Sequence, residues 1–326
     1  MFSLPNDKFF CKKLYFCKQN QRKMEDIRTD SLKAWLLAAR PKTLSGAAVP
    51  VMMALALAWA DCRAAGVAFQ WLPAVLCLLF AFIMQIDANF INDYFDFRKG
   101  TDDENRLGPR RACAQGWVRI ASMRRVIVLT TAAACVVGLP LVFYGGWPMV
   151  LVGVLCVLFC FLYTTHLSYM GLGDVLVLVF FGLVPVCVTY FLQLHTVTVE
   201  VVVCSVACGL VIDTLLIVNN YRDRDTDLRA GKNTLVLRIG ERATERLFLA
   251  LGLMAVLLGV VCVFSGHLLA FVFPFIYLFL HTKTWRKMLG IKHGKALNLI
   301  LAENARNMFV YGLLFAIGVL LSSVFA

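Results

Sequence analysis

Charge is what this chain has least of. Of its 326 residues, 16% are Asp, Glu, Lys or Arg and 60% are apolar, whereas soluble domains carry about 25% charged and about 45–50% apolar residues. Histidine is scarce as well: His166, His195, His267, His281 and His293 are dispersed, with no HxxxH or HExxH pairing to suggest a histidine metal motif. Among 12 cysteines there is no CxxC spacing, so neither a disulfide scaffold nor a redox motif is indicated. Cys156 and Cys160, four apart, share one helix face and read as small packing residues. Gly (22) and Pro (9) are too few for a collagen-like or low-complexity chain. A chain of this length and apolarity cannot hide its surface inside one water-soluble core. What remains is an all-α, polytopic membrane protein.

Runs near the 20 residues needed to cross about 30 Å of hydrocarbon occur at nine places, roughly 34–60, 71–92, 126–144, 147–164, 172–194, 200–220, 247–265, 267–281 and 308–326. The eighth is short and carries Pro274, and losing it would move the C-terminus to the other side. A β-barrel is disfavoured because its strands alternate apolar and polar residues, whereas these runs are apolar all round. Helices satisfy their own backbone groups in lipid.

Of 32 Lys and Arg, eight lie in 1–33, two are Arg40 and Lys42, eight lie in 95–125, seven in 219–246 and six in 282–307, which leaves Arg63 alone for the opposite side. Cytoplasmic loops collect Lys and Arg. The N-terminus and these loops are therefore expected inside, with the protein multi-pass in the cell inner membrane. The net charge of +12 belongs to that face. Nucleic-acid binding is not expected, because no soluble basic domain exists to carry it. Residues 1–32 read as a cytoplasmic tail without the continuous apolar stretch of a cleaved signal, with Met24 a candidate true start, and 33–326 as the membrane domain.

The acids are the anomaly. Ten of 20 fall in two clusters: Asp87, Asp93, Asp96, Asp102, Asp103 and Glu104, then Asp213, Asp223, Asp225 and Asp227. Gln85, Asn89, Asp93 and Asp96 form one polar stripe on a helix that Gly100 would stop, leaving Asp102 in the following loop. Asn219, Asp223 and Asp227 form a second stripe, with Asp213 and Asn220 on an adjoining face and Gly231 at its end. Asn-Asp-Tyr in one motif and Asn-Asn-Tyr in the other, 130 residues apart, hint at a duplicated half. An acid at bilayer depth costs about 2.5–3.5 kcal/mol on insertion scales, so both stripes should face a shared cavity. Two facing sets of carboxylates repel unless a cation sits between them, and hard oxygen donors suit Mg²⁺, which bridges to phosphate oxygens. Solvated helix ends are the competing reading, but matched stripes on two helices are hard to obtain by chance. Arg98, Lys99, Arg106, Arg110 and Arg111 follow the first stripe; Arg222, Arg224, Lys232 and Arg238 lie in or after the second. Carboxylates with Mg²⁺ ringed by such bases make a diphosphate site.

These residues resemble the UbiA superfamily of intramembrane prenyltransferases over about 33–326, and within it the menaquinone branch that prenylates 1,4-dihydroxy-2-naphthoate. The resemblance rests on Arg40-Pro41-Lys42-Thr43; on Asn89-x-x-Asn92-Asp93-Tyr94-x-Asp96-x-x-x-Gly100-x-Asp102 with Arg106-x-Gly108-Pro109; and on Asn219-Asn220-Tyr221-Arg222-Asp223-x-x-x-Asp227-x-x-x-Gly231-Lys232-x-Thr234-Leu235. The 4-hydroxybenzoate branch usually has adjacent acids followed by Gly-Val-Lys-Ser in the second motif and ranks second. Tyr163-Thr164, Gly171-Leu172-Gly173-Asp174 and Phe180-Phe181-Gly182 are also similar to the family. Thr165-His166-Leu167 stands where a Gly-Pro turn is usual, and Asp174 replaces the customary Glu.

The resemblance implies about nine helices around a central cavity open to the cytoplasmic face. It implies a polyprenyl diphosphate held through Mg²⁺ by Asp93, Asp96, Asp102, Asp223 and Asp227, and an aromatic acceptor alkylated inside the membrane with loss of its carboxylate. Asp93, Asp96, Asp223 and Asp227 are then the catalytic acids. Substrate contacts are expected from Arg40, Lys42, Asn89, Arg98, Lys99, Arg106, Tyr163, Asn219, Asn220, Tyr221, Lys232 and Arg238. Tyr94, Tyr163, Tyr190 and Tyr221 could stabilise an allylic cation through their π faces, although helix packing also explains them. An ion-coupled transporter is the competitor from another class; it would need acids at mid-bilayer without clustered bases beside them.

Overall fold

The computed structural model describes residues 27–100 and 106–325, so the expectations about Met24 and Asp102 lie outside the described residues. Among the described residues nine helices are long and apolar enough to cross a membrane: α1 Leu32–Ala64, α2 Trp71–Lys99, α3 Ile120–Gly145, α4 Pro148–Leu167, α5 Gly173–Leu194, α6 Val199–Arg229, α7 Glu241–Phe264, α8 Leu268–Ile291 and α9 Leu297–Val324. No strand occurs among the described residues. The short eighth run becomes a full span: Pro274, which cannot donate a helical hydrogen bond, separates a first turn, Leu268–Val272, from Phe275–Ile291.

The ninth run corrects the sequence reading. It starts at Leu297, not near 308, because polar residues assigned to a loop belong to the helix. Asn304 and Asn307 are fully buried there, donating to Thr214 Oγ1 of α6 and Thr284 Oγ1 of α8 at 2.9 Å each. A polar side chain inside a membrane bundle is tolerated when it finds such a partner.

Burial ranks the helices. Two thirds of the apolar window of α6 (67%) is inside the bundle, against 6% for α4, so α6 is the central post and α4 the peripheral, lipid-facing wall. At the crossing of α5 and α6 the backbones nearly touch: a Cβ added at Gly182 would stand 2.6 Å from the Ser205 carbonyl oxygen and 2.9 Å from Gly209 Cα. Gly182 lies in a stretch of wide, i→i+5 helical turn over Leu178–Leu183, a local widening of the kind found at functional sites.

The first span is broken where the motif Arg-Pro-Lys-Thr falls. Arg40 takes a left-handed conformation (φ 51°) and Pro41 starts a single tight turn, Pro41–Thr43, in keeping with the disfavour of the α-region before proline. Asn89 of α2 spans the break, its amide nitrogen donating to the Ala39 carbonyl (3.0 Å) and to Thr43 Oγ1 (2.9 Å). The kink turns Arg40, Lys42 and Thr43 toward the interior cavity.

The end of the bundle away from the basic loops has its own polar ties: Tyr190 donates to Asp61 at 2.5 Å, Gln193 and Gln70 exchange bonds at 2.9 Å, and His267 Nδ1 lies 2.9 Å from Glu200. The bond to Glu200 holds His267 above its ordinary value of 6.5 against the opposing effect of burial, with Asp61 adding to it. A raised folded pKa stabilises the fold below the unfolded pKa and ceases to do so as pH rises through the folded one. The difference in melting temperature between native protein and His267→Gln should therefore be largest at mildly acid pH and shrink as pH is raised. Gly182→Ala should destabilise the bundle by about 1–3 kcal/mol, read as a lower melting temperature in detergent at constant helix content.

Candidate active site

The last turns of α2 and α6 face each other across a polar chamber at the basic end, lined by Asn92, Asp96, Arg111, Tyr163, Thr164, Ser168, Asp174, Asn219, Asn220 and Lys232. It adjoins an apolar cavity of about 1020 Å³ between α1, α2, α3, α4, α5, α6 and α9. Asn92, Tyr163, Thr164, Leu216 and Asn219 line both spaces and form the threshold between them. Arg40, Lys42 and Arg110 supply the bases that line the larger cavity.

The acids meet here through cations. Asp96 receives Arg111 Nη2 at 3.1 Å, with that guanidinium largely shielded from solvent. Asp227 pairs with Lys232 at 3.2 Å. Lys232, Arg106, Arg40 and Lys99 are all within electrostatic reach of Asp96, and Lys232 and Arg106 within reach of Asp227. Lys232 thus links an acid from α2 to an acid from α6. Burial acts to discharge its ammonium, but the Asp227 and Asp96 carboxylates outweigh it and hold Lys232 above the ordinary lysine value. One cation thus pairs with Asp227 and lies in the field of Asp96; these are hard oxygen donors of the kind a small divalent ion takes, although among the described residues no three acidic, histidine or cysteine side chains converge as a ready-made metal site.

The remaining predicted residues divide. Asp93 is fully buried and spends both oxygens on the backbone amides of Ala112 (2.8 Å) and Cys113 (3.1 Å), pinning the loop that presents Arg111. Asp223 is clasped by Arg222 in two-pronged geometry, Nε at 2.8 Å and Nη2 at 2.6 Å. Asn219, besides lining the chamber, accepts Arg222 Nη2 at 2.7 Å. Lys99 donates to the Thr164 and Thr165 carbonyls (3.3 and 2.9 Å) and stands 4.1 Å over the Tyr169 ring. Arg106 donates to the Pro109 carbonyl at 3.2 Å.

Three predicted residues stand away from the chamber. Tyr221 is fully buried and donates to Glu241 and Glu245 of α7 (3.1 and 2.8 Å). Arg98 lies over the Tyr94 ring at 5.9 Å. Arg238 binds the Met170 carbonyl (2.6 Å) and Asn233 (3.1 Å), fixing the loop before α5. Cys156 and Cys160 line the apolar cavity.

Sequence reasoning missed Asn298. Its amide nitrogen donates to the Leu107 carbonyl and its oxygen accepts Arg222 Nη1, 2.7 and 2.8 Å, joining the loop after the first motif to the second motif. The available signal was the recurrence of Asn298, Asn304 and Asn307 ahead of an apolar run.

A profile of the UbiA prenyltransferase family matches residues 47–296. The chain belongs to the UbiA prenyltransferase family. It is similar to 1,4-dihydroxy-2-naphthoate octaprenyltransferase of Escherichia coli (strain K12), 33% identical over 312 residues that cover 92% of this chain and 99% of that one. The protein of the same description from Haemophilus influenzae is 36% identical, over 65% of this chain and 70% of that one. The fold is that of a solved UbiA homolog from Archaeoglobus fulgidus bound to GPP and Mg²⁺, with a TM-score of 0.59 at 14% identity over 88% of this chain and 99% of that one. This UbiA enzyme is therefore a prenyltransferase and a multi-pass membrane protein.

Its second motif depends on a buried ion pair, since the Arg222 side chain is 1% exposed. Removing one partner of such a pair strands the other charge. Arg222→Met should cost roughly 3–5 kcal/mol of stability, measured by thermal denaturation of the purified protein.

Proposed function

We propose that this enzyme transfers a polyprenyl group from polyprenyl diphosphate to 1,4-dihydroxy-2-naphthoate, with Mg²⁺ and with loss of the acceptor's carboxylate, giving the quinol form of demethylmenaquinone. One observation carries the reading: a polar chamber lined by Asp96 of α2 and by Lys232, which pairs with Asp227 of α6, opens, across Tyr163 and Asn219, onto a long apolar cavity. That combination suits a substrate with a dianionic head and a hydrocarbon tail. The acceptor is supported by the similarity to the E. coli octaprenyltransferase over nearly the full length of both chains.

Asp96 and Asp227, with Asp223, Asn219 and Asn220 beside them, would hold Mg²⁺. When bound, the metal neutralises charge that gathers on the departing diphosphate. Lys232, Arg106 and Arg111 add fixed positive charge around the same oxygens. Arg40 and Lys42, turned inward by the break in α1, offer further cations at the mouth of the cavity. The Tyr163 ring at the threshold faces the carbon from which diphosphate departs, where its π electrons favour a developing allylic cation. The apolar walls keep water from that cation until the electron-rich ring of the acceptor reaches it. Asp93 acts on the site by holding the loop that carries Arg111. With Lys and Arg gathered at one end of the bundle, the positive-inside rule puts that end and the N-terminus on the cytoplasmic side of the inner membrane.

The test is an assay of purified enzyme with Mg²⁺, a labelled prenyl diphosphate, and dihydroxynaphthoate or 4-hydroxybenzoate in parallel. Prenylation with CO₂ release from the first acceptor is expected. Asp96→Asn and Asp227→Asn should each lower turnover by at least about 100-fold, an order typical for loss of preorganised electrostatic stabilisation, while the proteins remain folded. Turnover confined to 4-hydroxybenzoate would assign the other acceptor. Native rates in both variants would remove the diphosphate reading altogether.

A further inference from the structure

Two carboxyl groups near the chamber differ from the other buried acids described around it. Asp93 has backbone amides, Asp96 has Arg111, Asp223 has Arg222, Asp227 has Lys232, and Asp87, deeper in α2, has the hydroxyls of Thr130 and Thr131. Among the described residues Asp174 and Asp213 have no such cation: Oδ1 of each is shut off from solvent without a hydrogen-bond partner, and the Asp174 carboxylate meets only its own backbone N–H. Asp213 is 6% exposed, in the middle of α6. Asp174 stands in the first turn of α5 and lines the polar chamber.

The two groups lie in each other's field, and both act on the Tyr163 hydroxyl, which Asp96 and Asp227 also reach. Gly173 lets the Tyr163 ring approach the backbone beside Asp174. A Cβ built on it would sit 3.9 Å from the Tyr163 hydroxyl and 3.3 Å from a Leu216 methyl, so the ring packs on bare backbone with the Asp174 carboxyl next in the chain. Two carboxyls in each other's field inside a low-dielectric bundle resist carrying two negative charges, and a proton on the pair relieves this.

The proposed reaction requires a proton to be lent and then returned. We propose that Asp174 takes the hydroxyl proton of the aromatic acceptor and gives it back, with Asp213 positioned behind it to share the proton it already holds; this rests on the prenyl transfer proposed above. As the acceptor's O–H bond breaks, its proton passes to Asp174. The ring carbon bearing the carboxylate forms a bond to C1 of the prenyl chain, whose C–O bond breaks with its electron pair leaving on diphosphate. The ring is then a ketone with a carboxylate on the adjacent carbon. Its C–CO₂⁻ bond breaks to release CO₂, the pair returns to the ring as a phenolate, and Asp174 returns the proton to that oxygen. No proton is gained or lost overall, and no oxidant is needed. A carboxyl pair with room for one further proton, one member of which lines the polar chamber beside Tyr163, meets that requirement.

The experiment uses the full-length enzyme in nanodiscs with Mg²⁺, prenyl diphosphate and dihydroxynaphthoate, with kcat followed against pH. Asp174→Asn should lower kcat by about 100-fold, in the range general-base loss produces, without changing KM for prenyl diphosphate, and should abolish the acidic limb of the kcat profile. Asp174→Glu should restore kcat to within about tenfold of native. Asp213→Asn should shift the acidic limb to lower pH, because Asp174 then ionises without a carboxylate neighbour. A folded Asp174→Asn enzyme with native kcat, or one whose loss lies in prenyl diphosphate binding, overturns the proposal; this variant decides alone if Asp213→Asn does not fold. If the native enzyme alkylates a different phenolic acceptor, the acceptor reading fails, and the same variants assayed on that acceptor still decide the role of Asp174.

Discussion

Carboxylates at the ends of two helices lie in the field of the same cations in a low-dielectric bundle, and those cations offset their repulsion. At an effective dielectric near 20, two like charges about 4 Å apart repel by about 4 kcal/mol, enough to splay the helix ends. Lys232 answers this by bridging Asp227 to the field of Asp96, and Arg111 and Arg222 answer it for Asp96 and Asp223. In the proposed reaction the arrangement that stabilises the resting fold would also trap an anion: these bases would hold the diphosphate, and a divalent ion would take up the carboxylates around Lys232.

The rest of the bundle keeps that point rigid. Loops at the basic end are tied by side chains rather than left to span water: Lys99 to the end of α4, Arg238 to the turn before α5, Asn298 from α9 to Leu107. The break in α1 at Arg40 and Pro41 is bridged by Asn89, so two bases point inward without loosening the span. The glycine contact of Gly182 with α6 draws α5 against the central post, next to the segment that carries Asp174. Such support holds reacting groups within the tolerance that catalysis demands. Loose ends here would be felt at the proposed chemistry, in which the apolar cavity would protect a reactive cation by excluding water.

Much of this was legible in the sequence, and what was not has a physical cause. Nine apolar runs match nine spans among the described residues, and residues of the paired polar stripes on α2 and α6 line the polar chamber. Helical spacing tells which residues share a face; it does not tell which neighbour each one meets. Asp93 and Asp96 are three apart in the same stripe, yet Asp93 turns to the amides of Ala112 and Cys113 while Asp96 turns to the chamber. Asn89 follows the stripe but bridges a helix break, and Tyr221 follows its motif but faces α7. The start of α9 was misplaced because buried asparagines look like loop residues to hydropathy, although each of them finds a partner in the bundle. Asp174 and Asp213 stood in plain view as acids near apolar spans, but their lack of partners exists only in three dimensions.

The central claim, that acids of α2 and α6 grip one divalent ion together with diphosphate, is tested most directly by Mn²⁺ binding followed by electron paramagnetic resonance. The titration is made in the presence of a non-hydrolysable prenyl diphosphate analogue, for native enzyme, Asp96→Asn, Asp227→Asn and the double variant. Joint coordination predicts that either single substitution removes most of the tight Mn²⁺ signal and that the double variant loses little more. Tight binding that survives in either folded single variant, with additive losses in the double, would contradict it.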